Sequence, residues 1–502
     1  MEDWTRMRLD SSELRPTSRL AQPWLLVALL IALTCYRLWV IPRLGVTLYI
    51  DEAQYWSWAK ALDWGYFSKP PVIAWLIAAS TAVFGDGLLA VKLPALILYP
   101  ATAWVMFLLA RRLFDARVAF RSGLAFILIP IVSALGLAVS TDAPLLFFWA
   151  LAMLGLLRAL ETGRMRDWLL MGAAVGLGIM AKYTMAAFAV SAALYLLADA
   201  RRRRCFVHPG LWSAIVLCSL IVLPNIVWNW SHDFPTLRHT ADITHVAGND
   251  KSGNLGEFLL AQAGSLGPGF ALAFLGGLGL ALRKLRDARY QFLLAFSLPL
   301  LGLVFLQALR AEANGNWAAP ALLAALILGV KWLARLRAQR WWVIALALNV
   351  LIMGAAYHLS DYYRLRGLPQ PARMDPLKRA KGWEVLGAAV RPYLAAQPDA
   401  LVLTEDRTMM AHLLYELRDL PLDYVAWAPH AHPADHYQLT RPLTEARHSR
   451  PFLLVSRDDA PPLIERFTTH RKLARIVLPI EPGLTREASI WLLEGFRGYA
   501  PH

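Results

Sequence analysis

Asp51 and Glu52 stand side by side just past the first long apolar stretch, and Tyr66-Phe67-Ser68-Lys69-Pro70-Pro71 follows before the next one. Carboxylates and a lysine beside a bilayer are costly to hold unless they face water, a partner or a substrate. A carboxylate placed on an acceptor hydroxyl, whose own proton leaves only far above neutrality, can take that proton as a new bond forms. Asp51 suits such work, with Glu52 next to it. The bland alternative is that Asp51 caps the helix running through Ala53-Gln54-Tyr55-Trp56.

A third acid, Asp142, sits in Ser140-Thr141-Asp142-Ala143-Pro144, between two apolar runs. It can act with Asp51, or simply start a helix with Pro144 in its first turn. Lys69 calls for an anion. Beside a membrane the phosphate of a lipid-linked donor fits, and a lysine is a suitable point-charge partner for a leaving phosphate; the alternative is a side chain snorkelling to head groups. Lys182, Arg310, Tyr55 and Tyr66 are further candidates for the same phosphate or for a sugar. The stretch 231–256 holds His232, Asp233, His239, Asp242, His245 and Asp250. Histidines with acids can bind a divalent metal, but their spacing follows no strong ligand motif. A Gly/Asn-rich loop that gates the substrate is the other reading.

The elements that must position these residues are apolar helices. The 502 residues are 57% hydrophobic and 17% charged, well under the quarter typical of soluble domains. Candidate spans are 22–42, 88–110, 118–139, 143–160, 168–182, 184–199, 211–230, 257–282, 290–309, 317–334 and 341–358, eleven in all. The run 72–85 is only 14 residues long, about 21 Å as a helix, against a hydrocarbon core of about 30 Å. It reads as an interfacial or re-entrant helix. The first span follows a basic segment directly and shows no small-residue cleavage pattern, so a removable signal peptide is not expected.

The net charge of +15 arises from arginine and lysine clusters at 6–19, 111–121, 158–166, 201–204, 283–289 and 335–340. They lie in short gaps between spans, the signature of loops retained in the cytoplasm, which argues against nucleic acid as a partner. With these loops inside, 43–71, 140–144, Lys182-Tyr183, 231–256, 310–317 and everything after His358 fall on the opposite face. Lysines, acids, histidines and asparagines thus converge on one rim. The three cysteines, Cys35, Cys205 and Cys218, lie in or beside spans and give no metal motif. Gly276-Gly277 reads as close helix packing, not as a phosphate cradle.

From about residue 359 the composition is that of a soluble domain. Short strands are expected at 401–403, 422–425, 452–455, 476–478 and 490–493, with helices around 377–396 and 407–417. The expected architecture is a polytopic α-helical membrane protein of about eleven spans plus a juxtamembrane helix. It comprises a cytoplasmic segment 1–20, a transmembrane domain 21–358 and a small periplasmic α/β domain 359–502.

The acidic pair after the first span, the Lys-Pro-Pro segment, the Thr-Asp-Ala-Pro hairpin and the lysine at a later turn together resemble the GT-C glycosyltransferases. The resemblance covers about 20–340, most specifically 46–114, and points to the bacterial ArnT and RgtA/B/C/D-like branch, related to protein O-mannosyltransferases. It implies a polyprenyl-phosphate sugar donor, transfer at the periplasmic face of the inner membrane, and inversion at the anomeric carbon. The acceptor would be an envelope glycolipid such as lipid A or lipopolysaccharide core, another glycan or a protein, with membrane lipids around the chain. Asp51 then corresponds to the key acid of the first outer loop, Lys69 to the lysine on the carrier phosphate and Asp142 to the second acid. The rival from another class is a transporter or flippase of a lipid-linked or anionic solute. Transporters usually pair two similar halves around a midplane site, and no such repeat is visible here.

Overall fold

The computed structural model describes residues 23–244, 253–336, 339–444 and 450–499. The expected segment 1–20, with His245 and Asp250, lies outside the described residues. The chain forms two compact units: Met1–Trp39, Lys69–Leu76 and Lys92–Ala356 in one, Val40–Ser68, Ile77–Val91 and Tyr357–His502 in the other.

The first unit is helical. Among the described residues seven helices are long and apolar enough to cross a membrane: Pro23–Arg43, Leu88–Leu113, Asp142–Thr162, Pro209–Ser231, Ala288–Arg310, Gly315–Arg335 and Gln339–Leu365. Such helices satisfy every backbone group within the segment, which hydrocarbon demands. The expected single span at 257–282 is instead two helices, Leu255–Leu266 and Pro268–Leu282, bent by 102°. Gly267 takes φ +80° at the break. A side chain there would meet the Asn349 amide, which donates to the Leu266 carbonyl that the break has freed (3.0 Å). The expected span at 118–139 is likewise divided, into Ala116–Leu128 and Pro130–Leu135, because Pro130 has no N–H to continue the helix. The region 168–199 forms Met165–Ala181 and Ala187–Leu197, joined by a 3-10 turn at Tyr183–Ala186. Val72–Phe84 is a 13-residue helix that follows Pro70-Pro71. Part of the expected loop 231–256 is also helical, at Pro235–Thr244. The reversal before it comes from Asp233 and Phe234, both at positive φ (59° and 55°).

Glycines let these helices touch. A Cβ on Gly172 would lie 2.4 Å from the Ala214 carbonyl oxygen, and one on Gly277 2.6 Å from the Leu328 backbone. Small residues at such crossings are what association between apolar helices relies on.

The second unit holds a five-stranded sheet, β1 Leu401–Thr404, β2 Tyr424–Ala426, β3 Phe452–Ser456, β4 Phe467–Glu481 and β5 Leu484–Phe496, in the order β2-β1-β3-β5-β4. The first three strands are parallel, while β5 runs antiparallel to β3 and to β4. Alternation sends Val402, Leu453, Val455 and Ile490 to one face, against the Trp383–Ala395 and Arg407–Glu416 helices. Leu401, Leu403, Phe452, Leu454 and Leu493 go to the other. Edge strand β4 carries His470, Arg471, Lys472 and Arg475, charges that discourage pairing with another chain.

Two consequences are measurable. Gly172→Ala forces a methyl against rigid backbone and lowers stability by about 1–3 kcal/mol. Gly279→Ala, which meets nothing within 4 Å, leaves stability unchanged or slightly raised; thermal unfolding in detergent compares the two. The second concerns His412, which is buried and stacked on Trp383 at 3.8 Å, with no hydrogen-bond partner for either ring nitrogen among the described residues. Burial, then the Arg486 and Arg457 charges, push its proton affinity well below the histidine range. The unfolded chain therefore binds a proton here at about pH 6.5 that the folded chain refuses, so stability falls as pH drops below that value. His412→Leu flattens the stability profile from about pH 6.5 to 5. Denaturant titrations across that range, with and without the substitution, are the check.

Candidate active site

Asp142 opens the Asp142–Thr162 helix and is 2% exposed. It does not cap that helix; its carboxylate turns to two other segments. Lys182, directly after the Met165–Ala181 helix, donates from Nζ to Oδ1 at 2.7 Å. Asn316, in the turn that starts the Gly315–Arg335 span, donates from Nδ2 to Oδ2 at 2.9 Å. The Asn316 loop is itself braced. Asn254 exchanges two hydrogen bonds with the Ala313 backbone (3.1 and 3.0 Å), and Gln262 donates to the Gly315 carbonyl at 2.7 Å. A buried carboxylate and ammonium hold each other only when geometry and extra donors are good, and here both conditions are met.

The polar set continues along the chain. The Tyr183 hydroxyl donates to Asn225 Oδ1 at 2.6 Å and accepts from Asn229 Nδ2 at 3.1 Å. Both asparagines lie in the apolar Pro209–Ser231 helix and are buried. One turn before Asn225, Val222 joins an apolar cluster with Val72, Met180 and Ala181, flanked by Trp75, Phe148 and Ile221. Val72 is three residues past Lys69, and Ala181 immediately precedes Lys182. Lys69 itself is half-buried. Arg310 ends the Leu298–Arg310 helix and is exposed.

Asp51, Glu52, Tyr55 and Tyr66 belong to the other unit. The helix there is Ile50–Ala59, so Asp51 is in its first turn and is not its cap. Capping falls to Glu52, whose Oε2 accepts the Tyr49 N–H at 2.9 Å. That leaves the Asp51 side chain 58% exposed, with Arg407 3.4 Å from its Oδ1. Tyr66 is spent on its own loop: its ring stacks on Trp58 at 4.5 Å, and its hydroxyl donates to the Trp58 and Ala61 carbonyls and accepts from the Asp63 N–H. Burial, above all, raises its hydroxyl far beyond the ordinary tyrosine range. Tyr55 packs its ring on Trp58 at 5.1 Å. Nearby, burial opposes ionisation of Asp86, but hydrogen bonds from Lys60 and Trp56 outweigh it and hold the carboxyl below the usual range.

No three histidine, cysteine or acidic residues are grouped to hold a metal ion among the described residues. His232 is engaged locally, with its ring on Trp228 (4.3 Å) and Nδ1 2.8 Å from the Trp228 carbonyl oxygen. Asn316, Tyr183, Asn225, Asn229 and Arg407 were not singled out by the sequence reading. For Asn225 and Asn229 the signal was there: amides inside an otherwise apolar span.

Residues 68–228 match the family described as dolichyl-phosphate-mannose-protein mannosyltransferase. The lipid A galacturonosyltransferase RgtD of Rhizobium johnstonii is 32% identical over 410 residues, 80% of this chain and 85% of that one. The undecaprenyl phosphate-α-4-amino-4-deoxy-L-arabinose arabinosyl transferase 1 of Pseudomonas fluorescens is 27% identical over 238 residues, 44% and 41% of the two chains. In fold, the chain is similar to ArnT from Cupriavidus metallidurans, crystallised with undecaprenyl phosphate, with a TM-score of 0.66 at 17% identity over 95% of this chain and 99% of that one. Sequence likeness sustained over most of both chains, together with that shared fold, makes this protein a member of the GT-C glycosyltransferases, in the branch that holds ArnT and the Rgt transferases.

Proposed function

We propose that this chain transfers a sugar from a polyprenyl-phosphate carrier to a glycolipid of the lipid A or lipopolysaccharide-core kind, at the periplasmic face of the bacterial inner membrane. The observation that carries the reading is the match to a lipid A galacturonosyltransferase along four-fifths of this chain. It favours a hexuronic acid as the sugar and lipid A as the acceptor. The proposed arrangement keeps eleven crossings, with the bent and broken helices counted as single spans. The loop arginines stay in the cytoplasm and the sheet domain of 359–502 lies in the periplasm.

In the proposed chemistry Asp51 removes the acceptor hydroxyl's proton as that oxygen attacks the anomeric carbon. The bond from that carbon to the phosphate oxygen breaks, and polyprenyl phosphate leaves. Lys69 meets the departing phosphate, where added negative charge is worth most to neutralise. Lys182 has three N–H donors and spends one on Asp142, which leaves two for the same phosphate. Asp142 fixes Lys182, and its remaining lone pairs can receive sugar hydroxyls. Glu52, bonded to the Tyr49 N–H, shapes the helix that carries Asp51.

Reconstituted enzyme supplied with polyprenyl-phosphate galacturonic acid and lipid A tests the roles, with the glycolipid product read by mass spectrometry. Asp51→Asn lowers the transfer rate by about 10²–10⁴-fold, the usual worth of a general base, while donor still binds. Lys69→Met raises the donor KM by about tenfold, as one lost charge-assisted contact would. An Asp51→Asn enzyme with undiminished transfer would sink the assignment. Asn316 gives a graded test: Asn316→Ala leaves a buried carboxylate oxygen short of a donor and slows transfer by roughly 5- to 100-fold. Asn316→Asp sets two carboxylates face to face and is worse. The reverse order would remove Asn316 from the site.

A further inference from the structure

The Arg407–Glu416 helix does two jobs at once. Met409 and Leu413 enter the core on one face of the sheet. Its other face lies along the Ile50–Ala59 helix, where the Tyr415 ring meets Trp56 edge-on at 5.2 Å; at the helix end Glu416 accepts from the Thr47 hydroxyl. Arg407 is its first residue. Its guanidinium donates to Gln54 Oε1 at 2.8 Å and approaches Asp51 Oδ1 at 3.4 Å. Asp406, the cap before it, accepts the Thr408 N–H at 2.9 Å and pairs with Arg457 at 2.9 Å, so the base of the arginine is held from behind.

An exposed ion pair contributes little to stability, about 0–1 kcal/mol, so stability is a weak reason for this one. Its geometry is more informative. Gln54 is buried and takes one arm of the guanidinium; the other arm reaches only one oxygen of Asp51. Asp51 Oδ2 has no partner among the described residues, and the side chain stays mostly open. One oxygen is thus pinned and the other is presented.

We infer that Arg407, from the sheet domain, is a positioning residue that aims the Asp51 carboxylate, so that Oδ2 receives the acceptor's proton. This rests on Asp51 acting as the base, proposed above. The proton moves from the acceptor oxygen to Oδ2 while Arg407 stays charged throughout, so it loses and gains nothing. The sheet domain then takes part in transfer through a side chain and not only as a platform.

The experiment measures kcat and donor KM for Arg407→Ala and Arg407→Lys in the reconstituted assay, alongside Asp51→Asn. Misplacing the base slows kcat by about ten- to hundred-fold, with donor KM within about twofold of the parent. Arg407→Lys recovers part of the loss, and millimolar guanidinium chloride, but not sodium chloride, revives Arg407→Ala. An Arg407→Ala enzyme of normal kcat overturns the inference. So does a slow one that neither lysine nor guanidinium restores and whose melting temperature has fallen in step. Asp51→Asn separates the two readings: if it is active, the base assignment fails; if it is dead while Arg407→Ala is normal, only the role of Arg407 fails.

Discussion

A carboxylate taken out of water must be met by donors on both oxygens, or its burial costs several kcal/mol. Asp142 imposes that condition on the helical unit. Its two donors come from residues 40 and 174 positions away in the chain. The Met165–Ala181 helix must stop where Lys182 can turn inward, and the turn that starts the Gly315–Arg335 span must hold Asn316 within reach of the same carboxylate. The braces on that turn, Asn254 and Gln262, follow from the same need. Lys182 directly precedes the 3-10 turn Tyr183–Ala186 and Asn316 lies in the turn Gly315–Ala318, so both donors come from helix ends.

The need for polar partners also explains where chain regularity fails. The 102° bend at Gly267 frees a carbonyl in apolar surroundings, and Asn349 answers it from a separate helix. Such a break is tolerated only when the released groups are satisfied by protein. The asparagines of the Pro209–Ser231 helix obey the same rule, since each finds the Tyr183 hydroxyl.

Much of this was legible from residues alone. Apolar runs mark the helices, and the lone lysine at 182, expected at a turn between two short helices, lies at one. A strand lies at each of the five expected places, but β4 and β5 run for 15 and 13 residues, well beyond the short stretches expected at 476–478 and 490–493. Single-residue punctuation was harder to read. Pro130 and Gly267 interrupt runs whose average hydropathy is unbroken, so a window sees one span where the backbone makes two elements. Pro235–Thr244 reads as loop because its residues are polar, yet it forms a ten-residue helix with proline at its first position, where a missing N–H costs nothing. Asn316 carried no signal at all: an asparagine in a polar turn is ordinary until the carboxylate it meets is known.

The assignment of 40–68 and 77–91 to the same compact unit as the sheet was equally hidden, and the Arg407–Glu416 helix shows why. Its apolar positions, Met409 and Leu413, are four apart and mark the face that packs on the sheet. Arg407 and Tyr415 lie away from that face, and Glu416 ends the helix. These three residues engage Gln54, Trp56 and Thr47. Burial raises the Glu416 carboxyl, and the Thr47 hydroxyl offsets part of that, which is the behaviour of an interface and not of a surface. Hydrophobic periodicity finds the side of a helix that water rejects. It is silent about a polar side whose partners come from hundreds of residues earlier in the chain, and that is the side on which Asp51 is held.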